Sequence, residues 1–307
     1  MAGVQPTRGR LRRDLRYAQA AEAAYRRPAE AREVFAALGY GRLEEVVHAG
    51  TDTQVYVAAN EAEILIVPRG TQRNYKDILT DLKVRPAELR GRLDGATVHR
   101  GFLEAWLSVE QRVHDAVCEL AHDAVCELAP AGRLADDCQV VACGHSLGGA
   151  LAVLATVRIR SVREIVSFGA PRVGDIAFRE NMRRLRQRTG LTHRRWVRGA
   201  DVVPIVPLLA MGYRHDVAPC YVDDAGKLTV HASLPRELSG RARALLTVDW
   251  SEGWAGLPVP TRMFTDHRVA GYVDDLQRLA GRVRGNGVDA LATRSQALHN
   301  MTGGRSR

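Results

Sequence analysis

Long apolar runs are missing from this sequence, since no stretch reaches the roughly 18 successive apolar residues that a transmembrane helix requires. The segment Met1–Arg13 carries basic side chains but lacks the apolar core of a secretory signal peptide. We therefore expect neither a membrane-spanning helix nor a secretory signal, and a cytoplasmic location is the default prediction.

Cysteine is scarce, with five residues in a chain of 307. A small and odd number of cysteines does not suggest a disulfide framework, which is consistent with the cytoplasmic prediction. Cys138 and Cys143 lie in an apolar stretch, so we expect them to act as small core residues.

Aromatic residues make up only 6% of the chain, although its formal net charge is +9. The arginines concentrate at both termini and in residues 179–188, where aromatic residues do not alternate with them as they do in many nucleic-acid-binding surfaces. We therefore expect no nucleic-acid partner. Solvated helix faces are the preferred interpretation of the charge, and attraction to an anionic lipid surface is the alternative.

Hydrophobic residues form 46% of the chain, which is enough for one large core. The sequence predicts an α/β fold with a mostly parallel sheet covered by helices, because strand-like runs alternate with helical stretches after a first hairpin. The strand-like runs are Val55–Ala59, Glu63–Pro68, Gln139–Cys143, Ile165–Phe168 and Arg195–Arg198. Two leading helices are predicted, at Ala18–Tyr25 and Glu30–Leu38. We expect one domain at residues 14–282, between a flexible basic segment at 1–13 and a disordered tail at 283–307.

The most informative motif is Gly144-His145-Ser146-Leu147-Gly148, which lies between an apolar stretch and a helix rich in small residues. This arrangement is typical of a nucleophile elbow, in which a strained strand-to-helix turn exposes a serine hydroxyl. The first turn of the helix also leaves unpaired N–H groups that can bind an oxyanion. A plain glycine-rich turn is the alternative, but the flanking apolar stretches favour Ser146 as a nucleophile.

A serine nucleophile of this kind is followed along the chain by an acid and then by a histidine. Asp201 is the first candidate for the acid, because it lies in a polar turn after a predicted strand. The rival carboxylates are Asp216, Asp223 and Asp224. His267 is the first candidate for the base, because it stands immediately before an amphipathic helix that can pack on the sheet. The rival histidines are His215, His231 and His299.

Six segments of the chain carry a family resemblance: Pro68–Thr71, Val98–Phe102, Gly144–Ala152, Ser167–Asp175, Asp201–Pro204 and Asp266–His267. In this order they resemble the class 3 lipases, an α/β-hydrolase family that includes the fungal triacylglycerol lipases and many bacterial relatives. The resemblance extends over residues 15–282. Asp175 is a small departure, because the family more often has asparagine at that position.

The resemblance implies the α/β-hydrolase fold and a triad of Ser146, Asp201 and His267. It also implies two oxyanion donors, Thr71 through its hydroxyl and N–H and Leu147 through its N–H. The implied activity is hydrolysis of carboxylic esters of lipids, by a triacylglycerol lipase or a lipid esterase, through an acyl-enzyme on Ser146 and without a cofactor or metal. The expected partners are a lipid or other ester substrate and, transiently, a membrane surface; no obligate protein partner is inferred.

Two questions stay open at the level of sequence. A phospholipase A1 or a short-chain carboxylesterase would use the same triad, and a non-catalytic binding module on a hydrolase scaffold is an alternative from another class. The resemblance implies a lid at residues 71–85, which either moves at a lipid interface or packs permanently on the core. Its apolar stripe consists of Tyr75, Ile78, Leu79 and Leu82.

An eight-residue segment, His114–Ala121, is repeated without change as His122–Ala129. The local sequence is helical, so the copy is expected to lengthen a helix by about two turns. A tandem duplication at a surface helix end is the preferred interpretation, and zinc ligation by a ridge of side chains is the alternative. The members of that ridge are His114, Cys118, His122 and Cys126.

Overall fold

The computed structural model describes residues 5–71, 85–128, 139–233, 250–251, 259–260 and 265–282. The helices in these ranges are α1 (Arg8–Ala23), α2 (Pro28–Ala37), α3 (Arg100–Leu107), α4 (Glu110–Leu128), α5 (Leu147–Arg158), α6 (Ile176–Thr189) and α7 (Val269–Arg282). The strands are β1 (Arg42–His48), β2 (Thr53–Ala59), β3 (Glu63–Pro68), β4 (Pro86–Leu89), β5 (Ala96–His99), β6 (Gln139–His145), β7 (Val162–Phe168), β8 (Thr192–Arg198), β9 (Pro219–Val222), β10 (Leu228–Val230), β11 (Trp250–Ser251) and β12 (Val259–Pro260).

Eight of these strands form one sheet in the order β1-β2-β3-β6-β7-β8-β9-β10. Strands β3, β6, β7, β8 and β9 run parallel, whereas β1, β2 and β10 pair antiparallel at the two edges. The prediction of a mostly parallel sheet is confirmed, and each predicted strand run lies within an observed strand. Because the carboxyl ends of parallel strands meet at one edge of a sheet, the loops after β6, β7 and β8 converge there.

Helices cover both faces of the sheet, as predicted. On one face α3, α4, α5 and α6 form a core that includes Trp106 and Leu151, and on the other α1, α2 and α7 form a core that includes Tyr17. Successive residues of β2 alternate between these cores, with Val57 in the first and Tyr56 in the second. This is the period of two that a strand buried on both faces requires.

The N-terminal boundary differs from the prediction of a flexible segment at residues 1–13. Helix α1 begins at Arg8, and the Thr7 hydroxyl caps it by accepting a hydrogen bond from the Arg10 N–H. The side chain of Leu11 is only 1% exposed, whereas Arg10 and Arg12 face solvent. The basic residues therefore occupy the exposed side of an amphipathic helix, and packing of its apolar side holds residues 8–13 in the fold.

Helix α4 contains both copies of the repeated segment as far as Leu128, which confirms the prediction that the repeat is helical. The predicted tail at 283–307 and the lid stripe of Tyr75, Ile78, Leu79 and Leu82 lie outside the described residues. Within the residues that are described, no helix is both long and apolar enough to cross a membrane.

Candidate active site

The turn between β6 and α5 has the backbone of a nucleophile elbow. Strand β6 ends at His145, α5 begins at Leu147, and Ser146 between them has φ 58° and ψ −130°. A positive φ is strained for a residue with a side chain, so the surrounding structure must hold it in place. One contribution is the hydrogen bond that the Ser146 N–H donates to the Phe168 carbonyl oxygen at 3.0 Å.

The two glycines of the motif are required by close approach. An ideal Cβ on Gly148 would lie 2.1 Å from the carbonyl oxygen of Pro68, at the end of β3. A Cβ on Gly144 would lie 2.4 Å from the carbonyl carbon of Gly148. Side chains at these positions would force α5 away from the sheet, so the glycines allow the helix to begin directly beside Ser146.

The three residues predicted as a triad lie together at this edge of the sheet. Nε2 of His267 is 2.9 Å from Oγ of Ser146, and Nδ1 of His267 is 3.0 Å from both carboxylate oxygens of Asp201. Ser146 is 1% exposed, Asp201 is 0% exposed and His267 is 8% exposed. A serine hydroxyl, an imidazole and a carboxylate in this series can transfer a proton away from the serine oxygen.

Asp201 is held as a carboxylate by its surroundings. Burial raises its pKa, but His267 and two further donors outweigh burial, so the net pKa of Asp201 is lowered. These donors are the backbone N–H of Val203, at 2.9 Å from Oδ1, and the hydroxyl of Tyr272, which bonds Oδ2. The negative charge beside the His267 ring favours the imidazolium that forms when the ring accepts a proton.

Tyr272 is a residue of the site that sequence reasoning missed. Its ring packs in the core formed by α1, α2 and α7, as expected for an apolar position of the amphipathic helix that follows His267. Its hydroxyl reaches Asp201 across 71 positions of sequence, a contact that no local pattern encodes. The available signal was its place one helical turn into the helix that follows His267.

The rival carboxylates do not contact the Ser146–His267 pair. Asp216 bonds Nδ1 of His193 at 3.0 Å and pairs with Arg186. Asp223 accepts backbone hydrogen bonds in the turn between β9 and β10, and Asp224 belongs to the same turn.

The rival histidines are likewise engaged elsewhere or distant. Nε2 of His215 donates to the carbonyl oxygen of Pro204 at 2.7 Å, and burial lowers the pKa of His215 well below its usual range. His231 is exposed, and His299 lies outside the described residues. Geometry therefore selects His267 from the four histidines that sequence order allowed.

A second serine–histidine–aspartate series lies in the sheet and was not expected. Oγ of Ser167 is 3.0 Å from Nε2 of His193, and Nδ1 of His193 is 3.0 Å from Asp216. Ser167 lies within β7 rather than on a turn, and the adjoining cavity holds only about 10 Å³, too little for more than one water molecule. This series has hydrogen bonds like those of the first but no room for a substrate.

Both predicted oxyanion donors line one larger cavity. Thr71, Leu147 and Phe102 are among the walls of this cavity, which measures about 360 Å³. Arg69 and Asp52 also line this cavity and form an ion pair at 2.8 Å. The N–H of Leu147 is at the first position of α5 and has no acceptor within the helix, so it is available for an oxyanion. Within the described ranges, no group of three or more His, Cys, Asp or Glu residues is arranged to hold a metal ion.

Comparison with known proteins gives a consistent assignment. The family model "Lipase (class 3)" matches residues 65–211, a range that includes Thr71, Ser146 and Asp201. The chain is 33% identical over 191 residues to "Secreted mono- and diacylglycerol lipase 1" of Fusarium solani, which covers 60% of this chain and 51% of that protein. It is 27% identical over 219 residues to "Secreted mono- and diacylglycerol lipase A" of Penicillium cyclopium, covering 69% of this chain and 64% of that protein. The chain thus spans about half the length of the Fusarium relative.

A solved structure of the Rhizomucor miehei lipase propeptide complex superimposes with a TM-score of 0.60 at 25% identity, over 75% of this chain and 73% of that chain. The prediction of a cytoplasmic location is wrong on this comparison, because the Fusarium and Penicillium relatives are named as secreted lipases. The same similarities confirm the predicted α/β-hydrolase fold. With the motifs of β6 and α5, they support the resemblance of residues 65–211 to the class 3 lipase family.

Proposed function

We propose that the protein is a serine hydrolase that cleaves carboxylic esters of lipids through an acyl-enzyme on Ser146. The observation that carries the proposal is the 2.9 Å contact between Nε2 of His267 and Oγ of Ser146 on a strained turn. Such a pair supports nucleophilic attack on an acyl carbon, because the imidazole removes the hydroxyl proton during attack. We propose residues 8–282 as the catalytic unit.

In the first half of the reaction, Oγ of Ser146 attacks the ester carbonyl carbon while His267 takes the hydroxyl proton. Asp201 orients the ring and stabilises the imidazolium. The tetrahedral intermediate then collapses, the bond to the alcohol oxygen breaks, and His267 returns the proton to the departing alcohol. The acyl group remains on Ser146 as an ester.

We assign to Thr71 and Leu147 the stabilisation of the negative charge that develops on the carbonyl oxygen. Their shared cavity wall and the free N–H at the start of α5 support this assignment. Loss of one such donor typically lowers the rate by roughly 100-fold to 1000-fold. In the second half of the reaction, water attacks the acyl-enzyme with His267 as the base, and the carboxylic acid leaves.

The substrate class proposed is a lipid ester, because the relatives are named as mono- and diacylglycerol lipases and the cavity is lined by both apolar and polar residues. The relatives' names also favour a substrate outside the cell. The apolar lining residues suit an acyl chain, and the Arg69–Asp52 pair provides polar groups in the same cavity.

Hydrolysis of p-nitrophenyl esters across chain lengths, beside a triglyceride emulsion and a phospholipid, tests this proposal. Hydrolysis of long-chain esters and glycerides, abolished in Ser146→Ala, is expected. Preference for the phospholipid would redirect the assignment to a phospholipase A1, and activity confined to short esters would redirect it to a carboxylesterase. Absence of hydrolysis and of fluorophosphonate labelling would contradict the proposal and favour a binding module.

A further inference from the structure

His145, the residue before the candidate nucleophile, forms hydrogen bonds through both nitrogens of its ring. Nε2 lies 2.6 Å from the backbone carbonyl oxygen of His267, and Nδ1 lies 2.8 Å from the hydroxyl of Tyr25. The residue is only 5% exposed. One buried side chain therefore connects the elbow to the backbone of the residue that carries the base.

These two contacts fix the protonation pattern of the His145 ring. A carbonyl oxygen can only accept, so Nε2 must carry the proton that is donated to His267. In the neutral ring Nδ1 is then an acceptor, and the Tyr25 hydroxyl donates to it. Burial raises the pKa of Tyr25, so that residue stays a phenol and keeps its proton for this bond.

Tyr25 also contacts the oxyanion loop, the segment after β3 that contains Gly70 and Thr71. An ideal Cβ on Gly70 would lie 1.9 Å from the Tyr25 hydroxyl oxygen, so this hydroxyl packs directly against Gly70, the residue before Thr71. The segment joining α1 to α2 therefore contacts the loop that carries one proposed oxyanion donor while its Tyr25 bonds the His145 ring. The Tyr25 hydroxyl therefore contacts both the His145 ring and the oxyanion loop.

The neutrality of His145 matters because its ring lies against the proposed base. The ring centroids of His145 and His267 are 4.6 Å apart, with an angle of 33° between the planes. Burial, with the neighbouring His267 ring, lowers the pKa of His145 to about 3, although Asp201 and the His267 carbonyl oppose this effect. The other titratable groups facing this region are Tyr272 on α7 and Arg69 beside Tyr25. A charged ring here would repel the imidazolium of His267.

We propose that His145 is a positioning residue for ester hydrolysis. As an uncharged Nε2–H donor it holds the backbone of His267 in place, and its bond to Tyr25 links this contact to the loop that carries Thr71. The inference rests on the proposed function, since it assigns His267 the role of the base. His145 holds the ring of His267 in line with Ser146 and does not compete for the proton of the Ser146 hydroxyl.

Three variants isolate the hydrogen bonds from the bulk of the ring. His145→Phe keeps a ring but removes both bonds, His145→Gln keeps an N–H donor at a similar reach, and Tyr25→Phe removes only the hydroxyl. For a soluble p-nitrophenyl ester we expect His145→Phe to lower kcat by about 10-fold to 100-fold, the effect of losing a buried hydrogen bond, with KM changed less than about twofold. The rate of fluorophosphonate labelling should fall in parallel.

The conservative variant and a double variant separate positioning from folding. His145→Gln should recover kcat to within about fivefold of the wild type, as expected where the donor is restored. As a single change, Tyr25→Phe should lower kcat. Added to His145→Phe, it should lower kcat little further, because both changes act through the His145 ring. His193→Gln is the matched control, since His193 is another buried, doubly bonded histidine outside this network, and it should leave kcat unchanged in the folded fraction.

Active-site titration distinguishes the outcomes. A full burst amplitude with a reduced kcat in His145→Phe supports the proposal. A kcat within about twofold of the wild type, or a loss explained entirely by a lower burst amplitude, overturns it, because a positioning donor must alter the rate of each intact site. If the wild type itself neither hydrolyses esters nor takes up the label, the proposed function fails and this role fails with it.

Nitrogen-15 NMR of the full chain with labelled histidine tests the proposal without any measurement of activity. The His145 signals are identified by their absence in His145→Gln. We expect a neutral Nε2–H ring whose nitrogen shifts stay constant between about pH 5 and pH 8, the range in which an ordinary histidine titrates. A ring that titrates in this range, or one protonated at Nδ1 alone, would overturn the proposal even if ester hydrolysis is established.

Discussion

Oγ of Ser167 lies 3.0 Å from Nε2 of His193, almost the same separation as the 2.9 Å between Ser146 and His267. The two pairs differ in what surrounds them. Ser146 lies on a strained turn at the start of α5, whereas Ser167 lies in the middle of the sheet. Hydrogen-bond geometry alone therefore does not define a nucleophile, and access for an ester is also required.

This contrast gives the first prediction. Ser146→Ala should lower ester hydrolysis to below about 1% of the wild type, because triad members act as a unit, and should leave the thermal transition nearly unchanged. Ser167→Ala is the matched control and should retain turnover, since the change removes a hydroxyl of the same kind from a site with no room for substrate. Steady-state kinetics and thermal melts check both. Substantial turnover in Ser146→Ala would exclude it as the nucleophile.

The second prediction concerns the base. His267→Ala should be about as damaging as loss of Ser146, because the hydroxyl then has no proton acceptor. His215→Ala and His231→Ala should keep most activity per folded molecule, since neither histidine contacts Ser146. The measurement is kcat normalised to the folded fraction. An inactive His231→Ala beside an active His267→Ala would show that the triad is wrongly assigned.

The third prediction concerns the close approach of α5 to β3. Gly148→Ala places a methyl group against the Pro68 carbonyl oxygen, so it should destabilise the fold by about 1–3 kcal/mol and shift the oxyanion loop that follows Pro68. Gly281→Ala is the control, because among the described residues no atom beyond the local helix backbone lies within 4 Å of its added Cβ in α7, and alanine favours helices. Unfolding in denaturant and ester hydrolysis should separate the two. Equal stability and activity in both variants would contradict the packing of the elbow.

The fourth prediction concerns the hydrogen bond from Tyr272 to Asp201. The lowered pKa of Asp201 means that its carboxylate stabilises the fold above the unfolded pKa of about 4, and that this contribution is lost as the pH falls through the folded pKa. Tyr272→Phe removes a donor to the carboxylate, so it should lower Tm most at neutral pH, and the difference from the wild type should shrink at acid pH.

Tyr221→Phe is the control for this pH dependence, because the Tyr221 hydroxyl is buried and donates to the neutral carbonyl oxygen of Gly199. Its effect on Tm should stay constant over the same range. Differential scanning calorimetry from about pH 3 to pH 8 spans the titration of an aspartate. A Tyr272→Phe difference that does not vary with pH would show that the hydroxyl does not stabilise the Asp201 carboxylate.

The elbow could be predicted because its constraints are local. A strand, a strained serine, two glycines at points of close approach and a helix start all lie within a few residues of Ser146. Sequence order and local context also ranked Asp201 and His267 first. Their selection over Asp216 and His215 needed the folded chain, because only tertiary packing brings α7 beside the elbow.

The hydrogen bonds that two tyrosine hydroxyls make with residues distant in the sequence could not be predicted. The Tyr25 hydroxyl bonds His145, 120 positions away, and the Tyr272 hydroxyl bonds Asp201, 71 positions away, so no local pattern indicates either contact. The N-terminal boundary was misplaced because the arginines at the start of α1 obscured an apolar stripe that includes Leu11. The expected location was inferred from the lack of an apolar segment at Met1–Arg13, and the names of the relatives overturned it.

Peptide mapping after reaction with a fluorophosphonate tests the central claim most directly, because the probe reports which oxygen is the activated nucleophile and needs no knowledge of the natural substrate. The account predicts one covalent adduct per molecule, on Ser146, that is absent in Ser146→Ala and nearly absent in His267→Ala. It predicts no adduct on Ser167. Absence of labelling in the folded wild-type protein, or an adduct on any serine other than Ser146, would contradict it.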